Sequence, residues 1–215
     1  MIKYPKIKAP YKRDTNTNKL TREYVCKELE YLAEAGCEFI ATEKIDGTNI
    51  SIDWDGYTVS FHGRTERADI PKHLLQRLEE LFGGSRGEHI FEEHFGDKHV
   101  VLFGEGYGAK IQKGGGLYSE TPEFILFDVY FPESDLWAQS DLIYEIASYF
   151  GIEQVPVFPA RTLEEWCDFI AQKPKSLLNH GKHDMEGVVI KPAIELKDRR
   201  GNRLMYKVKA CDFKE

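Results

Sequence analysis

The sequence predicts an α+β fold built mainly from antiparallel sheets around a cleft, with flanking helices. Three observations lead there. Strand-like segments outnumber helical ones, hairpin spacings dominate, and no βαβ rhythm appears.

Taken in order, residues 1–20 read as a polar, Pro-containing lead-in, irregular around Lys12–Asn18. Thr21 is placed to cap a helix through about Ala35, because Tyr24, Val25, Leu29, Leu32 and Ala33 keep near-helical spacing; Gly36 stops it. Phe39–Ala41 reads as a strand. Asn49–Trp54 and Tyr57–Phe61 alternate around Asp55-Gly56, a strong hairpin signal. Pro71–Phe82 and Glu88–Phe95 carry helical patterns separated by the breaker Gly83-Gly84-Ser85. Val100–Phe103 and Phe124–Tyr130 are continuous apolar runs suited to a sheet covered on both faces. Helices follow over about Gln139–Phe150 and Leu163–Ala171, the second opened by a capping box of Thr162 and Glu165. Strands at Gly187–Lys191 and Leu204–Lys209 close the chain.

At 215 residues and 41% hydrophobic content the chain can bury one sizeable core, so a single domain over 1–215 is the expectation. No uncharged apolar stretch approaches the ~18 residues a membrane helix needs, and the start lacks an apolar signal core. A cytoplasmic location without membrane contact follows as the expectation. Cys26, Cys37, Cys167 and Cys211 are scattered, without the close pairing of zinc or redox motifs. The seven histidines make no ligand spacing. A net charge of −7 argues against an indiscriminate basic coat for nucleic acid, yet Lys and Arg crowd into 182–209.

The chemistry begins at Glu43-Lys44-Ile45-Asp46-Gly47-Thr48-Asn49, a lysine in the loop between two predicted strands. A strand-flanked Lys-x-Asp-Gly suits an amine nucleophile: the glycine lets backbone approach a ligand and the strands hold the amine still. A free lysine, with a pKa of ~10.4, must lose its proton before it attacks, so neighbouring positive charge or burial is needed. Alone, the tetrapeptide is also an ordinary polar turn. Further segments follow it: Phe61-His62-Gly63-Arg64-Thr65, Leu102-Phe103-Gly104-Glu105-Gly106, Phe124–Asp128, Glu186–Lys191 and Lys207-Val208-Lys209. The last pair of lysines alternates on a strand, which puts both ammonium groups on one face.

In this order the six elements resemble the motifs of the covalent nucleotidyltransferases, the superfamily of DNA ligases, RNA ligases and capping enzymes. The resemblance spans about Glu43 to Phe213. Two segments resemble the nick-sealing class of phage RNA ligases: Gly104–Lys113, with its Ile111-Gln112-Lys113, and the tail Lys207–Glu215. The resemblance implies the nucleotidyltransferase (ATP-grasp-like ligase adenylation) fold, with its sheets around a nucleotide cleft. That class carries a helical C-terminal domain, whereas this sequence stops just past the fifth motif. The expectation is therefore an adenylation domain with no C-terminal accessory domain, acting as a monomer or with a helper protein.

The resemblance also implies roles. Lys44 attacks the α-phosphorus of ATP and carries AMP, with Lys207 and Lys209 neutralising the phosphoryl oxygens. Glu105 accepts from ribose hydroxyls, and Phe127 and Val189 sandwich adenine. Glu43, helped by the Ile45 backbone, takes the adenine amino group, and Arg64 holds a phosphate or the ribose. Lys191 contacts a phosphate and Asn49 places the incoming end. Asp46 and Glu186 position Mg²⁺ (or Mn²⁺) through its waters, since magnesium dehydrates reluctantly. Asp128 orients a basic neighbour. The implied partner is RNA with 5′-phosphate and 3′-hydroxyl ends, nicked or structured. A DNA ligase core, a GTP-using capping core and a non-catalytic nucleotide- or RNA-binding module on the same fold are the alternatives.

Overall fold

A computed structural model describes residues 2–65 and 68–213. Lys214 and Glu215, the end of the ligase-like tail, lie outside the described residues. The chain divides into two compact units, one made of the segment through Tyr4 with Asp46–Val155, the other of Pro5–Ile45 with Pro156–Glu215.

Along the chain the elements are β1 (Tyr11–Arg13), β2 (Leu20–Tyr24), α1 (Lys27–Glu34), β3 (Glu38–Glu43), β4 (Thr48–Trp54), β5 (Val59–Gly63), α2 (Lys72–Phe82) and α3 (Gly84–Phe95). Then come β6 (Val100–Tyr107), β7 (Glu123–Phe131), β8 (Leu136–Trp137), α4 (Ser140–Phe150), β9 (Glu153–Gln154), β10 (Val157–Thr162), α5 (Leu163–Ala171), β11 (Gly187–Pro192) and β12 (Tyr206–Lys209). All strand pairings but β7–β9 are antiparallel within these sheets, in agreement with the α+β expectation. Among the described residues no helix is long and apolar enough to cross a membrane.

The first unit carries a six-stranded sheet in the order β5-β4-β6-β7-β8, with β9 on β7. One face is apolar: Ile50, Ile52 and Trp54 of β4, Val100 and Leu102 of β6, and Phe124, Leu126 and Val129 of β7 pack with Leu74, Leu78, Phe82, Phe91, Ile143 and Ile146 from α2, α3 and α4. Strand alternation sends Asn49, Ser51, Asp53, Val101, Phe103 and Glu105 to the opposite face. The β4–β5 hairpin turns where expected. Asp55 Oδ1 accepts from the backbone N–H groups of Tyr57 and Thr58 (2.9 and 2.8 Å), and Gly56 supplies a φ of +99°.

The second unit holds the sheet β10-β3-β11-β12. Phe39, Ala41, Val188, Ile190, Tyr206 and Val208 face Leu163, Trp166 and Ile170 of α5, and the indole N–H of Trp166 donates to the Phe39 carbonyl at 2.8 Å. α5 begins as expected: Thr162 Oγ1 accepts from the Glu165 N–H at 3.3 Å, and Glu165 Oε2 accepts from the Thr162 N–H at 2.8 Å.

Four expectations need correction. Residues Leu20–Tyr24 form β2 rather than the start of a helix, and the lead-in contains its partner β1. Asp14 nucleates that hairpin, because its Oδ1 accepts from Asn16 and Thr17 N–H, and the Tyr11 and Tyr24 rings meet at 5.4 Å across it. The helix starts only at Lys27. Secondly, α3 begins at Gly84, inside the supposed breaker. Gly87 packs on the Phe82 carbonyl with no room for a Cβ, so the second helix follows the first without a loop. Thirdly, β6 runs on to Tyr107, because it pairs with β4 and β7 along its length; Glu105 is therefore inside a strand, not at its end. Finally, β10 carries Pro159 and has no hydrophobic alternation. It survives as an edge strand with a register shift between Phe158 and Arg161.

Candidate active site

In the second unit Lys44 follows the end of β3, and its backbone N–H donates to the Gly187 carbonyl at 2.9 Å. Its ammonium donates to Glu186 Oε2 at 2.6 Å, while the ammonium of Lys209 lies 2.8 Å from Oε1 of the same carboxylate. One carboxylate thus bridges two lysines. Burial alone would lower the pKa of Lys209, but the hydrogen bond and charge of Glu186, with Cys211 and Asp212, raise it above its ordinary value. Lys209 stays charged at neutral pH. Gly187 makes the arrangement possible: a Cβ there would run into the Val208 carbonyl. β11 and β12 pair closely, which places Gly187 opposite Lys209 and Val189 opposite Lys207.

Val188 and Ile190 face the core, so Val189, Lys191, Lys207 and Lys209 share the other face of this sheet. Val189 is flanked there by Thr42 on β3 and Lys207 on β12, with Lys191 opposite Ile40. Four of the predicted residues thus form one apolar-and-basic surface beside the Lys44–Glu186–Lys209 bridge.

Glu43 departs from its expected role. Phe39, Ala41 and Glu43 alternate onto the core face of β3, and Glu43 is only 2% exposed. Its Oε1 accepts from Ser176 Oγ at 2.5 Å and its Oε2 from the Leu177 N–H at 2.9 Å. Burial pushes its pKa up, and these hydrogen bonds pull it part of the way back. A carboxylate committed in this way fastens the 176–177 turn, whose chain leads on to Glu186, to the strand that leads into Lys44. Ile45, next to Lys44, is likewise buried, at 3% exposure.

In the first unit, Asn49 on β4 lies directly opposite Glu105 on β6, which lies opposite Ile125 on β7. A bulge interrupts the β6–β7 ladder: Phe103 pairs with Asp128 and Gly104 with Leu126, so Phe127 is the extra residue. Phe124, Leu126 and Val129 face the helices, and the bulge turns both Phe127 and Asp128 to the other face, alongside Asn49 and Glu105. Phe127 is half-buried and Asp128 buried. Asp128 accepts from the Tyr4 hydroxyl at 2.8 Å. Arg64 is exposed just after β5. Asp46 is half-buried, its N–H reaching the Tyr118 hydroxyl at 3.4 Å, and its carboxylate lies where a Cβ on Gly114 would sit.

The two carboxylates expected to serve a metal, one in each unit, are hard-oxygen donors of the kind magnesium and manganese take. Asp46 and Glu186 offer only carboxylate oxygens, and both oxygens of Glu186 are held by ammonium groups. Among the described residues no three His, Cys, Asp or Glu side chains gather to grip an ion directly. Sequence reasoning missed Tyr4, Ser176 and Tyr118. None sits in a motif, and only tertiary pairing brings them to these residues.

The chain resembles solved RNA ligases. The Naegleria gruberi RNA ligase in complex with pyrophosphate superposes with a TM-score of 0.62 at 19% identity, over 96% of this chain and 61% of that one. A variant of it with ATP and manganese gives 0.64 at 17% identity over the same shares, and another with AMP and manganese gives 0.62 at 18%, over 95% and 61%. At these identities the likeness establishes a shared fold, the one the motifs implied. The chain spans about three-fifths of the length of these solved ligases. A search of curated proteins returns no match. The RNA ligase family model matches residues 37–209, a span that begins just before β3 and ends on Lys209, and by that match the chain belongs to the RNA ligase family.

Proposed function

We propose that the chain is the adenylating part of an ATP-dependent RNA ligase. Lys44 gives up a proton to solvent, its amine attacks the α-phosphorus of ATP, an N–P bond forms, the bond to the bridging oxygen breaks, pyrophosphate leaves, and the nitrogen sheds its second proton to solvent. AMP then passes from the lysyl phosphoramidate to an RNA 5′-phosphate, and a 3′-hydroxyl attacks that adenylate with release of AMP. The carrying observation is the Glu186 carboxylate bridging the ammonium groups of Lys44 and Lys209. The presence of ATP, AMP and manganese in the solved relatives supports the choice of nucleotide and metal.

Magnitudes decide what Glu186 does. Moving a proton from an ordinary ammonium (~10.4) to an ordinary carboxylate (~4.3) crosses about six pK units, or about 8 kcal/mol, so a carboxylate is a poor base for lysine. Glu186 instead aims the nucleophile and keeps it beside Lys209. Once Lys44 becomes a phosphoramidate it loses its charge, and Glu186 Oε2 is released from that pairing. Glu186 and Asp46 would then hold a magnesium or manganese ion through its waters; such an ion supplies charge neutralisation at phosphate oxygens. Lys207, Lys209 and Lys191 offer fixed positive charge to the same oxygens. Phe127 and Val189 stack on adenine, the Ile45 main chain takes its amino group, Glu105 accepts from the ribose, Arg64 grips a phosphate, and Asn49 places the incoming end. Glu43 supports the nucleophile from behind. The RNA carries 5′-phosphate and 3′-hydroxyl ends held close together, as at a nick or hairpin, with or without a helper protein. Four cysteines outside any disulfide suit a reducing cytoplasm.

Incubation with α-labelled ATP and a denaturing gel tests the reading: wild type carries the label and Lys44→Ala carries none. An acid-labile, alkali-stable adduct on Lys44→Ala would move the nucleophile to another lysine. Equal labelling by GTP and ATP would favour the capping alternative.

A further inference from the structure

We infer that Tyr4 is a positioning residue for the base-stacking ring of Phe127, with Asp128 as its anchor. The inference rests on the reading of Phe127 given above. The Tyr4 ring centroid lies 4.9 Å from that of Phe127 at an interplanar angle of 70°, near the edge-to-face geometry aromatic quadrupoles favour. The same ring meets Phe103 at 5.0 Å and Trp137 at 5.6 Å. Phe103 and Trp137 are themselves stacked at 5.7 Å, so Tyr4 stands against a rigid pair. Its hydroxyl donates to Asp128 Oδ2 at 2.8 Å, a charge-assisted bond to a carboxylate only 2% exposed.

The bulge gives this cluster its purpose. In a regular strand, neighbours 127 and 128 would point to opposite faces. Here both are turned to the face opposite the helices, so one side chain braces the first and anchors on the second. Phe127 is half-buried, and a stacking platform works best when its plane is held before the base arrives. Tyr4 supplies one wall for that ring. A tyrosine serving only as core filler needs no carboxylate partner and would affect folding without affecting base affinity.

The experiment compares full-length wild type with Tyr4→Leu, Tyr4→Phe, Asp128→Asn and Phe127→Leu in self-adenylylation. It reads KM for ATP, the rate at saturating ATP, and competition by ribose 5-triphosphate, which lacks the base. Tyr4→Leu is expected to raise KM for ATP about three- to tenfold, the worth of one aromatic pair, with the saturating rate within about twofold. Competition by ribose triphosphate stays at the wild-type level, and Tyr4→Phe and Asp128→Asn raise KM by less. Phe127→Leu raises it at least as much as Tyr4→Leu. If Phe127→Leu raises KM while the Tyr4 and Asp128 variants do not, the inference is overturned and the Phe127 reading stands. If Tyr4→Leu weakens ATP and ribose triphosphate equally, Tyr4 supports the whole pocket and the inference is again overturned. An unchanged KM in Phe127→Leu overturns both readings. Should circular dichroism show Tyr4→Leu unfolded, Tyr4→Phe and Asp128→Asn decide the matter alone.

Discussion

Replacing Glu43 by glutamine tests what a buried carboxylate does beside the nucleophile. Its oxygens accept from Ser176 Oγ at 2.5 Å and Leu177 N–H at 2.9 Å, and Ser176 Oγ also lies 3.0 Å from the Leu178 carbonyl. Glutamine can keep both contacts by exchanging roles. Its amide oxygen accepts from Leu177, its NH₂ donates to Ser176 Oγ, and the serine proton turns to Leu178. The Leu177 and Ser176 contacts persist and no charge is held from water, so stability at pH 7 changes by less than about 1 kcal/mol. Alanine offers no acceptor. The orphaned Leu177 N–H costs about 1–3 kcal/mol and the void about 1 more, which lowers Tm by roughly 5–15 °C for a chain of this size. The pH dependence has a definite sign. A carboxyl whose folded pKa is raised binds its proton more tightly when folded, so wild type loses stability as pH climbs from the unfolded carboxylate range, about 4.3, through the raised value. Glu43→Gln has no such loss, and its Tm relative to wild type should grow from acid to neutral pH. Thermal unfolding of all three proteins across about pH 4–8 provides the measurement. A loss above about 2 kcal/mol for Glu43→Gln at pH 7 would refute the reasoning, because the charge itself would then hold the turn. Labelling by ATP and GTP adds a second check: an ATP preference relaxed in Glu43→Gln would return this residue to the adenine pocket.

On the proposed mechanism Lys209→Met removes a fixed charge that serves the attacked phosphate and should slow label transfer about 10²- to 10³-fold, with Tm changed by no more than a few degrees; a single-turnover time course measures it. Gly187→Ala drives a Cβ into the Val208 carbonyl, so a loss of about 1–3 kcal/mol in urea unfolding is expected, together with weaker adenylylation. A fully stable Gly187→Ala would show that β11 and β12 can separate freely. Thr162→Ala breaks the capping box and should cost about 1 kcal/mol in the same assay, with labelling unaffected.

Local chemistry made much of this molecule readable. Asp55-Gly56 specifies its hairpin through bonds within four residues, and Thr162 with Glu165 specifies the start of α5 in the same way. The helix wrongly expected from Thr21 fails for a local reason too: Asp14 satisfies backbone donors in a turn, and β1 then captures Leu20–Tyr24. Apolar periodicity alone carried no sign of that competition. Glu43 shows a further limit. Its place next to Lys44 is visible in the sequence, but the face it occupies follows from the register of β3, and its partners Ser176 and Leu177 lie more than 130 residues away.

By itself the sequence determined the candidate residues for the chemistry and their order, Lys44 through Glu105 and Glu186 to Lys209, because charge, nucleophilicity and metal preference belong to side chains wherever they sit. It also determined the α+β character, since period and turn chemistry act over a few residues. Tertiary structure alone decided which of these groups meet. The pairing of β11 with β12 puts Lys209 on the carboxylate that holds Lys44, and the bulge in β7 turns Phe127 and Asp128 to one face beneath Tyr4. Register, bulges and cross-strand neighbours arise from packing between segments far apart in the chain, and no local pattern encodes them.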